Sequence, residues 1–216
     1  MEDQIILIDK PAGISSFGVV ARVRRRLTTE FGHKVKVGHT GTLDPFATGL
    51  LILLSGKYTK RSNEFLKLDK VYEATMKLGY TSTTGDPEGD ITEVTTSQHD
   101  NTIPEAILLD VLNSFVGTIT QTPPKFSAIK INGQRAYALA RKGQDFEIPS
   151  RQVEIYSVDI IHYDYPYLTI RVHCSSGTYI RTLAEDIGKA LGTGAYLTAL
   201  RRLRIGKYSV ADASKL

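Results

Sequence analysis

The sequence predicts an α+β fold around a mixed, largely antiparallel central sheet flanked by helices, on three observations. Helical and extended signatures are interleaved along the chain. Two long β-rich runs, 153–163 and 168–174, follow one another with no helix between them, which argues against a doubly wound parallel sheet. Residues 71–78 set Tyr72, Ala74, Met76 and Leu78 against Val71, Glu73, Thr75 and Lys77, the period of two that marks a half-buried strand. In that register Tyr72 points inward. No internal repeat, low-complexity linker or shift in composition divides the 216 residues, so the sequence reads as one domain over 1–216.

Taken in order, residues 5–9 read as a buried strand closed by Lys10-Pro11-Ala12-Gly13. Ser15 or Ser16 then caps a helix whose apolar face carries Val19, Val20, Val23 and Leu27, with its arginines on the other faces. A glycine-rich loop over 38–49 runs into the apolar segment 50–54. Residues 58–68 read as a polar helix and 81–89 as a turn region. Pro104 opens a helix carrying Ile107, Leu108, Val111, Leu112 and Phe115, with Gly117 just past its end. A proline-rich joint follows at 121–124, then an Asn132-Gly133 turn and a short helix over 135–142. The two β-rich runs pair, and Gly177-Thr178 makes a strand-to-helix junction that places Tyr179 and Arg181 in the first turn. A last strand spans 195–205.

Composition narrows the function classes. With 41% hydrophobic and 23% charged residues the chain has ordinary material for a folded core. The single cysteine, Cys174, excludes an internal disulfide and a cysteine-rich zinc module, and fits a reducing compartment such as the cytoplasm. The N-terminus lacks the basic start and long apolar core of a secretory signal, and no stretch approaches the ~20 apolar residues of a membrane span. The net charge of +4 is small, yet the basic residues cluster: Arg22, Arg24, Arg25 and Arg26, then Arg201, Arg202, Arg204 and Lys207. Clusters of this kind are either an electrostatic footprint for a phosphate-bearing partner or solvated faces balanced by nearby acids.

Several motifs fail their spacing. The segment 49–57 does not fit a phosphate-binding loop, with Tyr58 standing where Ser or Thr is needed. Asp86-Pro87-Glu88-Gly89-Asp90 lacks the alternating ligands of a calcium loop and reads as a solvated turn. The five histidines, at 33, 39, 99, 162 and 173, show no metal-ligand spacing. What stands out is the loop itself. It places His39 and Asp44 among three glycines and φ-locked Pro45, where a side chain is held still ahead of a buried element. Tyr179 and Arg181 form a second cluster. An aromatic ring stacks on a base, an arginine keeps a carboxylate ionised, and a carboxylate does the chemistry.

On these residues the chain resembles the TruB family of tRNA pseudouridine synthases. The resemblance rests on Lys10-Pro11-Ala12-Gly13 with Ser15, and on Gly38-His39-Thr40-Gly41-Thr42-Leu43-Asp44-Pro45 with Ala47-Thr48-Gly49-Leu50. It continues in Lys70-Val71-Tyr72-Glu73 with Leu78-Gly79, then in Pro123, Ser127-Ala128, Lys130, Gly133, Tyr137, Ala140 and Arg141. It ends in Gly177-Thr178-Tyr179-Ile180-Arg181 with Leu200-Arg201-Arg202. The Gly-His-Thr-Gly-x-Leu-Asp-Pro string is the most specific of these.

The resemblance implies a pseudouridine synthase catalytic domain that isomerises the T-loop uridine at position 55 of tRNA by base flipping, without cofactor or metal. Asp44 matches the catalytic aspartate. His39 matches the histidine that fills the space left by the flipped base, Tyr72 the tyrosine that stacks on that base, and Leu200 a pocket position. Tyr179 and Arg181 match pocket residues, Arg181 pairing to the aspartate. Lys10, Arg141, Arg201 and Arg202 are expected on the RNA backbone. The chain ends at Leu216, soon after the last matching segment, so the expectation is a stand-alone, monomeric, cytoplasmic enzyme gripping the T arm of tRNA. It needs no obligatory protein partner, no membrane and no C-terminal accessory RNA-binding domain. A nucleosidase would also use Asp44 but needs a second carboxylate across the bond. A non-catalytic RNA-binding module would use the same basic surface without needing Asp44.

Overall fold

A computed structural model describes residues 2–95, 102–127, 129–131 and 133–216. His99, Ala128 and Asn132 lie outside the described residues, as do the side chains of Lys130 and Arg141.

The chain opens with β1 (Ile5–Lys10), α1 (Ser16–Phe31), β2 (Val37–His39) and β3 (Thr48–Ser55). A 3-10 segment (Gly56–Arg61) leads into α2 (Ser62–Leu66), followed by β4 (Lys70–Leu78), β5 (Tyr80–Ser82), β6 (Ile91–Glu93) and α3 (Glu105–Ser114). Next come β7 (Gly117–Gln121), the small hairpin of β8 (Lys130–Ile131) and β9 (Gln134–Arg135), and α4 (Ala136–Arg141). The long strands β10 (Arg151–Asp164) and β11 (Tyr167–Cys174) precede α5 (Ile180–Ala190), β12 (Ala195–Ile205), β13 (Tyr208–Ser209) and β14 (Ser214–Lys215). The chain forms two compact units, one of residues 1–73 with 200–216 and the other of 74–199, so β4 and β12 contribute to both.

In the first unit the strand order is β14-β1-β3-β12, with β2 on β3 and β13 on β12. β1 and β2 run antiparallel to β3, while β12 runs parallel to it. The apolar run 50–54 is continuous because β3 is buried on both faces. Leu51 and Leu53 pack with Ile8 and the α1 side chains Val19, Val20, Val23 and Leu27. Leu50, Ile52 and Leu54 pack with Phe65 and Ile205. A strand with only one buried face would alternate. Helix α1 begins as its sequence dictates, with the Ser15 hydroxyl accepting from the Gly18 N–H at 3.0 Å, and ends at left-handed Gly32. Arg22, Arg25 and Arg26 lie exposed on its outer side.

In the second unit β4, β11, β10 and β7 follow in order, with β10 antiparallel to both β11 and β7. β4 alternates as expected, with Tyr72, Ala74, Met76 and Leu78 buried. Pro104 stands as the N-cap of α3, which buries Leu108 and Leu112. The fold is α+β on a mixed, largely antiparallel pattern of strands.

Two expectations shift. Residues 58–68 form a 3-10 segment and then a helix of five residues rather than one continuous helix. The Thr59 hydroxyl donates to the Gly56 carbonyl at 2.8 Å, a local bond that competes with a regular helical start. Tyr179 is not in the first turn of α5 but stands before it as the N-cap, with extended backbone at φ −96° and ψ 110°.

Candidate active site

Asp44 sits in the loop between β2 and β3, half-buried, and the backbone on either side of it is tied down. The Ser16 hydroxyl, itself buried, accepts from the Leu43 N–H at 2.8 Å and donates to the Leu43 carbonyl at 2.9 Å. The Pro45 carbonyl accepts from the Gly13 N–H at 2.9 Å and from Lys10 Nζ at 3.1 Å. Lys10 Nζ also donates to the carbonyls of Pro11 and Ile14. Arg202 closes the loop from the other strand. Its Nε donates to the Leu50 carbonyl at 2.8 Å, and its two terminal nitrogens donate to Gly41 and Thr42 at 3.1 and 3.4 Å.

Lys10 is 0% exposed and Arg202 2%, so the phosphate-contact expectation for both is corrected: each donates to backbone carbonyls inside the fold. Burying such a charge is tolerable because those carbonyls satisfy its N–H groups. Sequence reasoning missed this task, and it missed Ser16 as a tether. The available signal was Gly49, which pairs with Arg202 in the sheet. At φ +100°, a Cβ on Gly49 would stand 2.3 Å from the Arg202 carbonyl oxygen, so only glycine lets β12 come this close.

The other expected residues of the first unit are placed as follows. His39, at the end of β2, is half-buried, and its Nδ1 accepts from the Gly41 N–H at 3.3 Å. Tyr72 is buried on β4 and Leu200 on β12, where the Leu200 carbonyl accepts from the Thr48 hydroxyl at 3.4 Å. Arg201 remains part-exposed and pairs bidentately with Asp9 at 3.0 and 2.9 Å. Arg204 pairs with Asp69 at 3.0 Å.

In the second unit Arg181 is buried, and its guanidinium is held by hydrogen bonds. Nη1 donates to Asp86 at 3.2 Å and to the Thr84 carbonyl at 3.0 Å, and Nη2 donates to the Phe126 carbonyl at 2.9 Å. Asp86 is therefore not part of a solvated turn. It is 3% exposed, and its second oxygen accepts from the Thr84 hydroxyl and the Glu88 N–H. Beside them the Glu185 carboxyl is pushed up from its ordinary value, chiefly by burial and then by Asp186, with Arg181 opposing. Among the described residues no three His, Cys, Asp or Glu side chains group as for a metal ion. No helix among them is long and apolar enough to cross a membrane.

A carboxylate on a loop this constrained is suited to chemistry that needs one fixed acid. Comparison with known proteins shows the family. Residues 24–180 match the TruB family pseudouridylate synthase N-terminal domain, and residues 181–216 match the tRNA pseudouridylate synthase B C-terminal domain. The chain is 47% identical over 208 residues to tRNA pseudouridine synthase B of Parabacteroides distasonis, covering 96% of this chain and 87% of that one. It is 46% identical over 214 residues to the Burkholderia mallei protein of the same name, covering 99% and 68%. Among solved structures, a chain of a Cbf5-Nop10-Gar1 complex superposes with a TM-score of 0.74 at 30% identity. All of this chain is covered, and it spans 52% of that one. On these matches the chain belongs to the TruB family of pseudouridylate synthases and is an isomerase.

Proposed function

We propose that this enzyme isomerises the T-loop uridine at position 55 of tRNA to pseudouridine, with Asp44 as the catalytic carboxylate. The observation that carries the reading is the tethered loop, in a chain whose relatives bear the name tRNA pseudouridine synthase B. The bond between the sugar C1′ and the ring N1 breaks, the base turns over, and C1′ joins to C5. The C5 hydrogen leaves as a proton and N1, released from the sugar, takes one up, so the product is an isomer of the substrate. No oxidant, reductant or co-substrate enters this balance, and the reading includes no cofactor or metal.

In this reading the target uridine leaves the stack at a cost of a few kcal/mol, lower in a loop than in a duplex. His39 fills the vacated space, while Tyr72, Tyr179 and Leu200 hold the base. Arg181 serves the substrate side of the pocket, and Arg201 and Arg141 meet the RNA backbone. Residues 1–216 work as a single catalytic domain, monomeric and cytoplasmic, on the T arm.

The test is a T-arm stem-loop carrying tritium at C5 of its uridines. Wild type is expected to release tritium from the T-loop uridine, and Asp44→Asn to release none while still binding RNA. Release of free uracil would identify a nucleosidase. Binding without tritium release by wild type would identify a binding module.

A further inference from the structure

The ring of Tyr179 is mounted by two side chains from neighbouring strands that no motif in the sequence singles out. Gln121, at the end of β7, is 1% exposed. Its Oε1 accepts from the Tyr179 N–H at 3.0 Å and its Nε2 donates to the Tyr179 carbonyl at 3.3 Å. One side-chain amide thus binds both backbone groups of the residue, as an adjacent strand would, and fixes where its Cβ points. Arg151, at the start of β10, is paired with Gln121 in the sheet register. Its guanidinium carbon lies 4.8 Å from the centre of the Tyr179 ring, and its Nη2 donates to the Gly177 carbonyl. Gly177 has φ +88°, and a Cβ there would stand 3.3 Å from the guanidinium carbon, so the missing side chain makes room for Arg151.

The geometry points to Arg151 as a positioning residue, and Gln121 as its companion, that orient the Tyr179 ring for the substrate base. Gln121 sets the backbone. Arg151 occupies one side of the ring by a cation–π contact and bonds the turn two residues earlier, which removes the ring's freedom about its own torsions. The part-exposed ring is then pre-set when RNA arrives, and binding does not have to order it. This inference rests on the reading of Tyr179 as a substrate-binding residue.

The experiment is a double-mutant cycle between Arg151→Met and Tyr179→Leu, with Arg151→Lys as the conservative variant. Turnover is followed on the T-arm stem-loop, and the Tyr179 ring by NMR of fluorotyrosine-labelled protein. Arg151→Met is expected to lower kcat/KM about five-fold, the size of an exposed cation–π contact, mainly through KM. It should also shift the Tyr179 ring resonance. The same change in the Tyr179→Leu background is expected to cost nothing further, and Arg151→Lys to recover part of the loss. An equal loss in both backgrounds would overturn the inference, because Arg151 would then act on RNA directly. Wild-type turnover by Tyr179→Leu would overturn both the inference and the role of Tyr179. If wild type itself does not turn over this RNA, the proposed function fails, and the ring resonance alone decides the inference: an unmoved signal in Arg151→Met refutes it.

Discussion

The hydroxyl of Ser16 holds both backbone groups of Leu43, accepting from its N–H at 2.8 Å and donating to its carbonyl at 2.9 Å, one residue before Asp44. Ser16→Ala strips two buried groups of their partner at once. A stability loss of about 1–3 kcal/mol is expected. With Asp44 as the proposed catalytic carboxylate, turnover should fall by about ten-fold or more and RNA affinity change little, since a small displacement of such a group is costly. Urea denaturation and single-turnover kinetics read the two effects separately.

Gly49→Ala is expected to be among the most damaging single-methyl changes in the chain. The new Cβ meets backbone, at 2.3 Å from the Arg202 oxygen and 2.7 Å from its nitrogen, and φ is +100°. Neither conflict is relieved by a side-chain rotation. A loss on the order of 3 kcal/mol or more follows from strain and overpacking together. The urea midpoint measures it, and Gly13→Ala, where φ is also positive but the space is open, serves as the control for strain alone.

Asp86→Asn breaks the buried Asp86–Arg181 ion pair, at a cost of about 3 kcal/mol. Turnover should fall with it if Arg181 works on the substrate side. Asp86→Glu is not expected to rescue, because both oxygens of the shorter side chain are already placed, one on Arg181 and one on Thr84 and Glu88. Denaturation and tritium release on the three proteins check this.

Glu185 contributes in the opposite direction to most carboxylates. Its folded-state pKa is raised, so the folded protein takes up the proton more readily than the unfolded chain. That contribution is fully present below the ordinary carboxylate range and is lost as pH rises through the folded value. Glu185→Gln should therefore gain stability relative to wild type at pH 7 and show no gain at pH 4. Parallel melting curves at the two pH values test the sign.

Elements that bury one face were legible in the sequence because periodicity records burial. α1 shows Val19, Val20, Val23 and Leu27 at helical spacing, and β4 shows Tyr72, Ala74, Met76 and Leu78 at every second position. Asp44 stood out because glycines and a proline surround it. The residues that were misread are those whose partners are distant. Arg202 reads as one more member of a basic surface cluster, yet its acceptor at Thr42 lies 160 residues away. Asp86 has the local composition of a solvated turn, while Arg181 is 95 residues on. The two arginine clusters look alike as strings. In the structure Arg22, Arg25 and Arg26 face solvent, while Arg201, Arg202 and Arg204 are engaged within the first unit.

A glycine-rich loop ordinarily exchanges its amide protons fast, but this one is built otherwise. The N–H groups of Thr40, Gly41, Leu43 and Ala47 are all hydrogen-bonded, and the loop leads straight into a strand buried on both faces. Its opening is thereby joined to that of the interior, and protection factors across residues 40–54 should form a single plateau. The segment that carries Asp44 is expected, in its kinetics, among the last parts of the protein to come apart.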